Sequence, residues 1–144
     1  AILHIIGCTP PKKQQDFVKF YGLLSKSDLK DLAVLRSLFK KASLFFMPSR
    51  ADCAGVVFAE SCAYALPIIT SNTGGINTYV KDGLNGRSLG AEAATADYVE
   101  AIIGLLTDTT RYKEMALAAY NEYRQRLNWH AAGKAVNEAL KSIL

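Results

Sequence analysis

Short apolar runs of strand length alternate along this chain with segments in which apolar residues recur every three or four positions. ILHIIG (Ile2 to Gly7) reads as a buried strand, stopped by Gly7 and the Pro10-Pro11 turn pair. FVKFYG (Phe17 to Gly22) predicts a second strand, again ended by glycine. Ser25 or Ser27 is placed to cap a helix whose Leu29, Leu32, Leu35, Leu38, Phe39 and Ala42 share a face. SLFFMP predicts a third strand broken at Pro48, Gly55 to about Ala65 a helix, and LPIIT a fourth strand. Asn72-Thr73-Gly74-Gly75 is a glycine turn opening a short helix through Val80. Two further turn signals, Lys81-Asp82-Gly83 and Asn85-Gly86, lead into a last strand at Gly86 to Leu89. The rest is helical: Ala96 to Leu106, Thr110 to Leu127 and Trp129 to Leu144.

Strands that alternate with helices imply βαβ units, hence an α/β, Rossmann-like parallel sheet flanked by helices, with residues 1–144 as one domain. Open sheets of this kind take ligands at the carboxyl ends of their strands, where loops enter helices. The loops after Gly7, Gly22, Met47 and Thr70 are therefore the places to look.

Composition narrows the partners. The 144 residues are 50% apolar and 21% charged, which fits a soluble globular chain. The net charge of +4 is scattered along helices and is not interleaved with aromatics, so nucleic acid is not expected. No apolar run reaches the roughly 18 residues of a membrane span, and no signal-peptide layout opens the chain. Cys8, Cys53 and Cys62 are odd in number and lack CxxC spacing, which predicts a reduced, cytoplasmic setting without a zinc site. The chain opens on Ala1 rather than Met, as an excised piece of a longer protein would.

The chemistry concentrates in SRADCAGVVFAESCAYALPI, Ser49 to Ile68, where Asp52 and Glu60 stand eight positions apart in an otherwise small and apolar segment. Two accounts fit. In one, Asp52 sits in a solvated loop and Glu60 on an outer helix face. In the other, both acids grip one ligand. A helix starting at Gly55 has first-turn N–H groups without intrahelical partners and a positive dipole end, and the small Ala54 and Gly55 let an anion approach the backbone. Glu60 lies five residues further, about 7 Å along the axis, which matches the reach from a diphosphate to the ribose of one nucleotide. The turn Thr70 to Gly75 opens a second helix at the same sheet edge and brings Asn72, Gly74 and Gly75 into consideration.

The order D-x7-E, A-x-A-x-P-I-I-x-S-x-x-G-G-I, V-x-D-G-x-N-G and a late tryptophan resembles the donor-binding, C-terminal half of retaining GT-B glycosyltransferases, and more narrowly the glycosyl transferases group 1. The resemblance runs from about Ile2 to Leu144; FVKFYGLLSKSDL matches the family's strand, glycine and helix start, and Trp129 its late aromatic. It maps the family's E-x7-E onto Asp52 and Glu60, with Gly55 at the second glycine of EGFG. It implies that Glu60 binds the donor's ribose hydroxyls. Asp52 would face the transferred sugar and stabilise positive charge at its anomeric carbon. Backbone amides around Cys53, Ala54, Gly55, Val56 and Val57 would hold sugar and diphosphate, with the turn at Gly22 to Leu24 against the base and Gly7 lining the crevice.

The resemblance also implies a nucleoside-diphosphate-sugar donor and no metal or other cofactor, since helix N-termini and basic side chains balance the leaving diphosphate. A basic pair upstream of Ile2 and an N-terminal acceptor-binding domain are expected beyond this chain. Any membrane contact would come through that domain, and the fragment alone is expected to be inactive. Five positions depart from the family pattern: Asp52 for glutamate, Cys53-Ala54 for Gly-Phe, Ala65 for a frequent glycine, and Thr78 where GGIPE has its acid. Two rival readings are a nucleotide-sugar epimerase of the same architecture and a non-catalytic nucleotide- or sugar-binding module.

The other candidates have plainer readings. Cys53 lacks a nearby base and reads as pocket wall rather than nucleophile. His4 lies in an apolar strand and reads as a buried, hydrogen-bonded residue, whereas His130 reads as facing solvent or packing. Arg50 could reach an anion, but an exposed loop arginine is the simpler account. Tyr112, Tyr120 and Tyr123 read as packing and surface residues of the late helices.

Overall fold

A computed structural model describes residues 1–53 and 55–143. The chain divides into two compact units, Ala1–Ala42 and Ser43–Leu144.

In the first unit, β1 (Leu3–Ile5) pairs in parallel with β2 (Val18–Phe20), Leu3 opposite Val18 and Ile5 opposite Phe20. The pairing continues beyond the strands, where the Gly7 N–H donates to the Gly22 carbonyl at 2.6 Å. Helix α1 (Leu29–Lys41) follows. Its cap is neither Ser25 nor Ser27 but Asp28, whose carboxylate accepts from the N–H groups of Lys30 and Asp31 at 2.8 and 3.0 Å. An aspartate directly before the first helical residue reaches two otherwise unpaired donors, and its negative charge suits the positive helix end. The two serines lie too early and are used in the approach: the Ser27 N–H donates to Ser25 Oγ at 3.3 Å. His4 is hydrogen-bonded as expected, to the Tyr21 hydroxyl at 2.8 Å, but it is exposed rather than buried.

The second unit carries a parallel sheet in the order β3-β4-β5, comprising β3 (Phe45–Met47), β4 (Ile68–Ser71) and β5 (Gly86–Leu89). The expected parallel strands are therefore divided between two sheets. Around the second lie α2 (Val56–Ala63), α3 (Thr95–Thr107), α4 (Thr109–Gln125) and α5 (Trp129–Lys141). The short helix foreseen through Val80 is a single 3-10 turn, Ile76–Thr78.

Every residue of the central strand β4 is buried, because layers cover both faces. On the Ile68 face, Phe45 and Met47 pack with Phe58 and Cys62 of α2, with Ile76 and Val80, and with Ala119 of α4. On the Ile69 face lie Phe46, Leu89, Leu105 of α3 and Met115 of α4. Helix α4 thus serves both layers, Met115 on one and Ala119 on the other.

Helix α2 ends in a Schellman motif: Leu66 N–H to Ser61 O at 3.1 Å and Ala65 N–H to Cys62 O at 3.0 Å. The left-handed position of that motif, usually glycine, is Ala65 at φ 56°. Beneath it the buried Asn85 joins three segments. Its amide nitrogen donates to Tyr79 O at 2.8 Å and contacts Cys62 Sγ at 3.6 Å, and its oxygen accepts from Lys81 N–H at 2.8 Å.

Candidate functional site

At the carboxyl end of β4 the sequence changes from Ile68-Ile69 to Thr70-Ser71, and the hydroxyls turn toward the neighbouring loop. In-register pairing sets Thr70 opposite Met47, and Thr70 Oγ1 donates to the Met47 carbonyl at 2.7 Å. Ser71 Oγ donates to the Ser49 carbonyl, and Thr73 Oγ1 to the Arg50 carbonyl at 3.3 Å. The Gly75 N–H completes the series by donating to the Asp52 carbonyl at 3.1 Å. The loop that carries Asp52 and the glycine turn after β4 are therefore bonded rung by rung.

This brings together most of the residues singled out from the sequence. Asp52 is half-buried, and its Oδ2 lies 3.1 Å from where a Cβ on Gly55 would stand. Gly55 is the N-cap of α2 and, having no side chain, brings no side-chain cap of its own. The first turn of α2 contains no acidic residue, so the positive dipole end is not offset from within the helix. Val56 is exposed and Val57 half-buried in that turn; Glu60, also half-buried, follows in the next. Arg50 and Cys53 are exposed beside it. Asn72, also exposed, accepts from Asn77 Nδ2 at 2.7 Å and donates its N–H to Leu89 O at 2.6 Å. Ala54 lies outside the described residues.

Gly7, Gly22 and Leu24 belong to the first unit, where the two glycines are hydrogen-bonded to each other. Trp129 is 85% exposed at the start of α5, and His130 beside it is exposed as well. Of the tyrosines, Tyr112 donates its hydroxyl to Ser43 O at 2.8 Å, Tyr123 packs against the Ile68-face core, and Tyr120 is exposed.

A second polar cluster, with no counterpart in the sequence reading, lies behind the glycine turn. Burial alone would push the Glu122 carboxyl up, but hydrogen bonds from Arg126 and Lys81 hold it below the usual carboxylate range. Arg126 Nε meets Glu122 Oε2 at 2.5 Å, and Lys81 Nζ lies 3.3 Å from the same oxygen. The guanidinium continues to the main chain, donating to the Thr78 carbonyl and, at 3.5 Å, to that of Tyr79.

Elsewhere an open groove of about 400 Å³ runs beside β5, α3 and the start of α4, bordered by Arg87, Leu89, Glu100 and Arg111. None of the residues singled out from the sequence borders it. Among the described residues no group of His, Cys, Asp or Glu could hold a metal ion, and no helix is long and apolar enough to cross a membrane.

Comparison with known proteins shows the family and the fold. A D-inositol 3-phosphate glycosyltransferase of Nocardia farcinica is 33% identical over 110 residues, 76% of this chain and 24% of that protein. An alpha-maltose-1-phosphate synthase of Mycolicibacterium smegmatis is 29% identical over 114 residues, 76% of this chain and 30% of that protein. The chain thus spans about a quarter of the first of these relatives and under a third of the second.

Among solved structures, sucrose-phosphate synthase of Thermosynechococcus elongatus superposes with a TM-score of 0.77 at 20% identity, covering 98% of this chain and 38% of its own. HepE of Anabaena, crystallised with UDP and glucose, gives 0.69 at 22% identity over 89% of this chain and 33% of its own. These likenesses show that the chain has the α/β fold, parallel sheets flanked by helices, of one half of GT-B glycosyltransferases. The sequence profile of the glycosyl transferases group 1 matches residues 3–122, a span holding the acid loop, the glycine turn and the Lys81–Glu122 pair, and the chain belongs to that family.

Proposed function

We propose that this chain is the nucleotide-sugar-binding domain of a retaining glycosyltransferase that moves a sugar from a nucleoside diphosphate to an acceptor hydroxyl. The observation that carries the reading is the rung-by-rung bonding of the two loops, which fixes Asp52 at the start of α2, a helix whose N-cap is Gly55 and whose first turn holds no acidic residue. Membership of the family supports sugar transfer. The UDP and glucose bound to HepE make uridine diphosphate the first ligand to try.

In this reading the donor diphosphate sits against the first turn of α2, where N–H groups and the dipole meet its negative charge. Glu60, roughly 7 Å along the helix from Gly55, accepts hydrogen bonds from the ribose hydroxyls. Asp52, on the other side of the diphosphate, faces the sugar. As the bond from the anomeric carbon to the diphosphate oxygen breaks, positive charge grows on the sugar ring and negative charge on the leaving oxygen. The Asp52 carboxylate stabilises the first and the α2 terminus the second. The acceptor oxygen then bonds to the anomeric carbon on the face the diphosphate leaves, and its proton passes to the departing phosphate. The acceptor site and further basic side chains for the diphosphate would come from sequence outside residues 1–144.

Calorimetric titration of the full-length protein with uridine and guanosine diphosphates, wild type against Glu60→Ala, tests the ribose assignment. Affinity is expected to fall about tenfold or more, the cost of lost charge-assisted hydrogen bonds. Unchanged binding would refute the assignment. Proton NMR of the product is expected to show the donor's own anomeric configuration, and inversion would exclude retention. Donor incubated without acceptor is expected to stay unepimerised; an epimerised donor would make the protein an isomerase.

A further inference from the structure

We propose that Arg126 is a positioning residue for the donor site, acting on Asp52 through the main chain of the glycine turn. This rests on the reading above. Three hydrogen bonds run in series from the guanidinium to the acid loop. Arg126 Nη1 donates to the Thr78 carbonyl, the Thr78 N–H donates to the Gly75 carbonyl at 3.1 Å, and the Gly75 N–H donates to the Asp52 carbonyl at 3.1 Å. All three lie within the Ser43–Leu144 unit.

The guanidinium is itself held. Its Nε is 2.5 Å from Glu122 Oε2, one helical turn earlier on α4, and Lys81 Nζ lies 3.3 Å from that oxygen. The Glu122 side chain is 11% exposed and that of Arg126 31%, so the carboxylate is shielded from solvent while the guanidinium is partly open to it. Helix α4 is fixed in turn by Met115 and Ala119 in the two core layers. The device therefore links helix α4 to the glycine turn at its three-residue 3-10 segment, Ile76–Thr78.

Only an arginine suits this position. Its planar fork presents Nε to a carboxylate and two terminal nitrogens to neighbouring carbonyls at once, whereas a lysine offers one point charge. Arg126→Lys keeps the pairing with Glu122 and surrenders the grip on the turn. Because displacements of about 1 Å in a reacting group can cost on the order of a hundredfold in rate, even a small slackening should appear in turnover.

The experiment uses the full-length protein with donor and acceptor, comparing wild type, Arg126→Lys, Arg126→Met, Asp52→Asn and Glu60→Ala. Arg126→Lys is expected to lower kcat about tenfold while diphosphate affinity stays within about twofold, because the α2 terminus and Glu60 are untouched. Exchange of the Gly75 amide hydrogen is expected to quicken about tenfold as its bond to Asp52 loosens. Arg126→Met strands Glu122 and could fail to fold, which is why the lysine variant decides the matter. Wild-type kcat per folded molecule together with unchanged Gly75 exchange in Arg126→Lys would overturn the proposal, whatever happens to thermal stability. If the Arg126 variants are normal while Asp52→Asn and Glu60→Ala are crippled, only the positioning role fails. If those two acid variants keep wild-type turnover, the donor-site reading fails and the positioning role with it.

Discussion

The backbone of Gly74 lies so close to that of Asp52 that a Cβ on the glycine would stand 2.0 Å from the Asp52 carbonyl oxygen. Its φ of +52° is also one that side chains resist. Steric closeness and handedness thus exclude any residue but glycine at the point where the two site loops meet.

Gly74→Ala is accordingly expected to destabilise the fold by at least about 2 kcal/mol, adding left-handed strain to a main-chain clash. Urea denaturation of the variant checks this. A loss below about 0.5 kcal/mol would mean that the loops are not packed as described.

Ala65 presents the opposite case. It occupies the left-handed position of the α2 Schellman motif at φ 56°, where a Cβ is a burden. Ala65→Gly is expected to stabilise the chain by about 0.5–1 kcal/mol, the relieved strain exceeding the added freedom of the unfolded glycine. A lower melting temperature than wild type would contradict the assignment.

The cysteines should divide by position. Burial pushes the Cys62 thiol up from 9.0 to about 11, with a partly offsetting hydrogen bond from Asn85. Cys8 and Cys53 are exposed. A disulfide-exchange reagent at mildly alkaline pH is expected to titrate two thiols rapidly, and Cys62 only after denaturant is added. Three equal rates in the native chain would rule out the packing of α2 on β4 given above.

Glu122 supplies a pH dependence. Its folded carboxyl titrates below the ordinary 4.5 because hydrogen bonds from Arg126 and Lys81 outweigh its burial. A depressed folded value means the contribution is whole above 4.5 and lost as pH falls through the folded value. The gap in urea midpoint between wild type and Glu122→Gln should therefore be widest near neutrality and close on acidification. A gap independent of pH would remove the ion pair from the account.

Much of this was legible in the sequence, for reasons that particular residues make plain. Phe45-Phe46 and Ile68-Ile69 read as strands because buried parallel strands are apolar on both faces. Gly55 read as a helix start because small residues before an apolar run leave few other options. The cap of α1 was misassigned because Ser25, Ser27 and Asp28 can all cap, and only the entry angle of the chain selects among them.

The cross-loop hydroxyls were hidden for a different reason. Thr70, Ser71 and Thr73 find their acceptors through the β3–β4 register, which no local pattern announces. Arg126 is 48 residues from the carbonyl it grips at Thr78, and an arginine near a helix end looks like a solvated charge until the partner is known.

The hydroxyl rungs between Thr70, Ser71, Thr73 and the carbonyls of Met47, Ser49 and Arg50 set a unit of exchange for protein engineering. Chimaeras that import the acid loop from another member of the family would bring carbonyls shaped for that member's own hydroxyls. Transplanting residues 47–52 and 70–75 as one cassette preserves each of these hydroxyls with its carbonyl, and Gly74 with the carbonyl it abuts. Recombination across this domain should respect that pairing, with breakpoints penalised between the two loops.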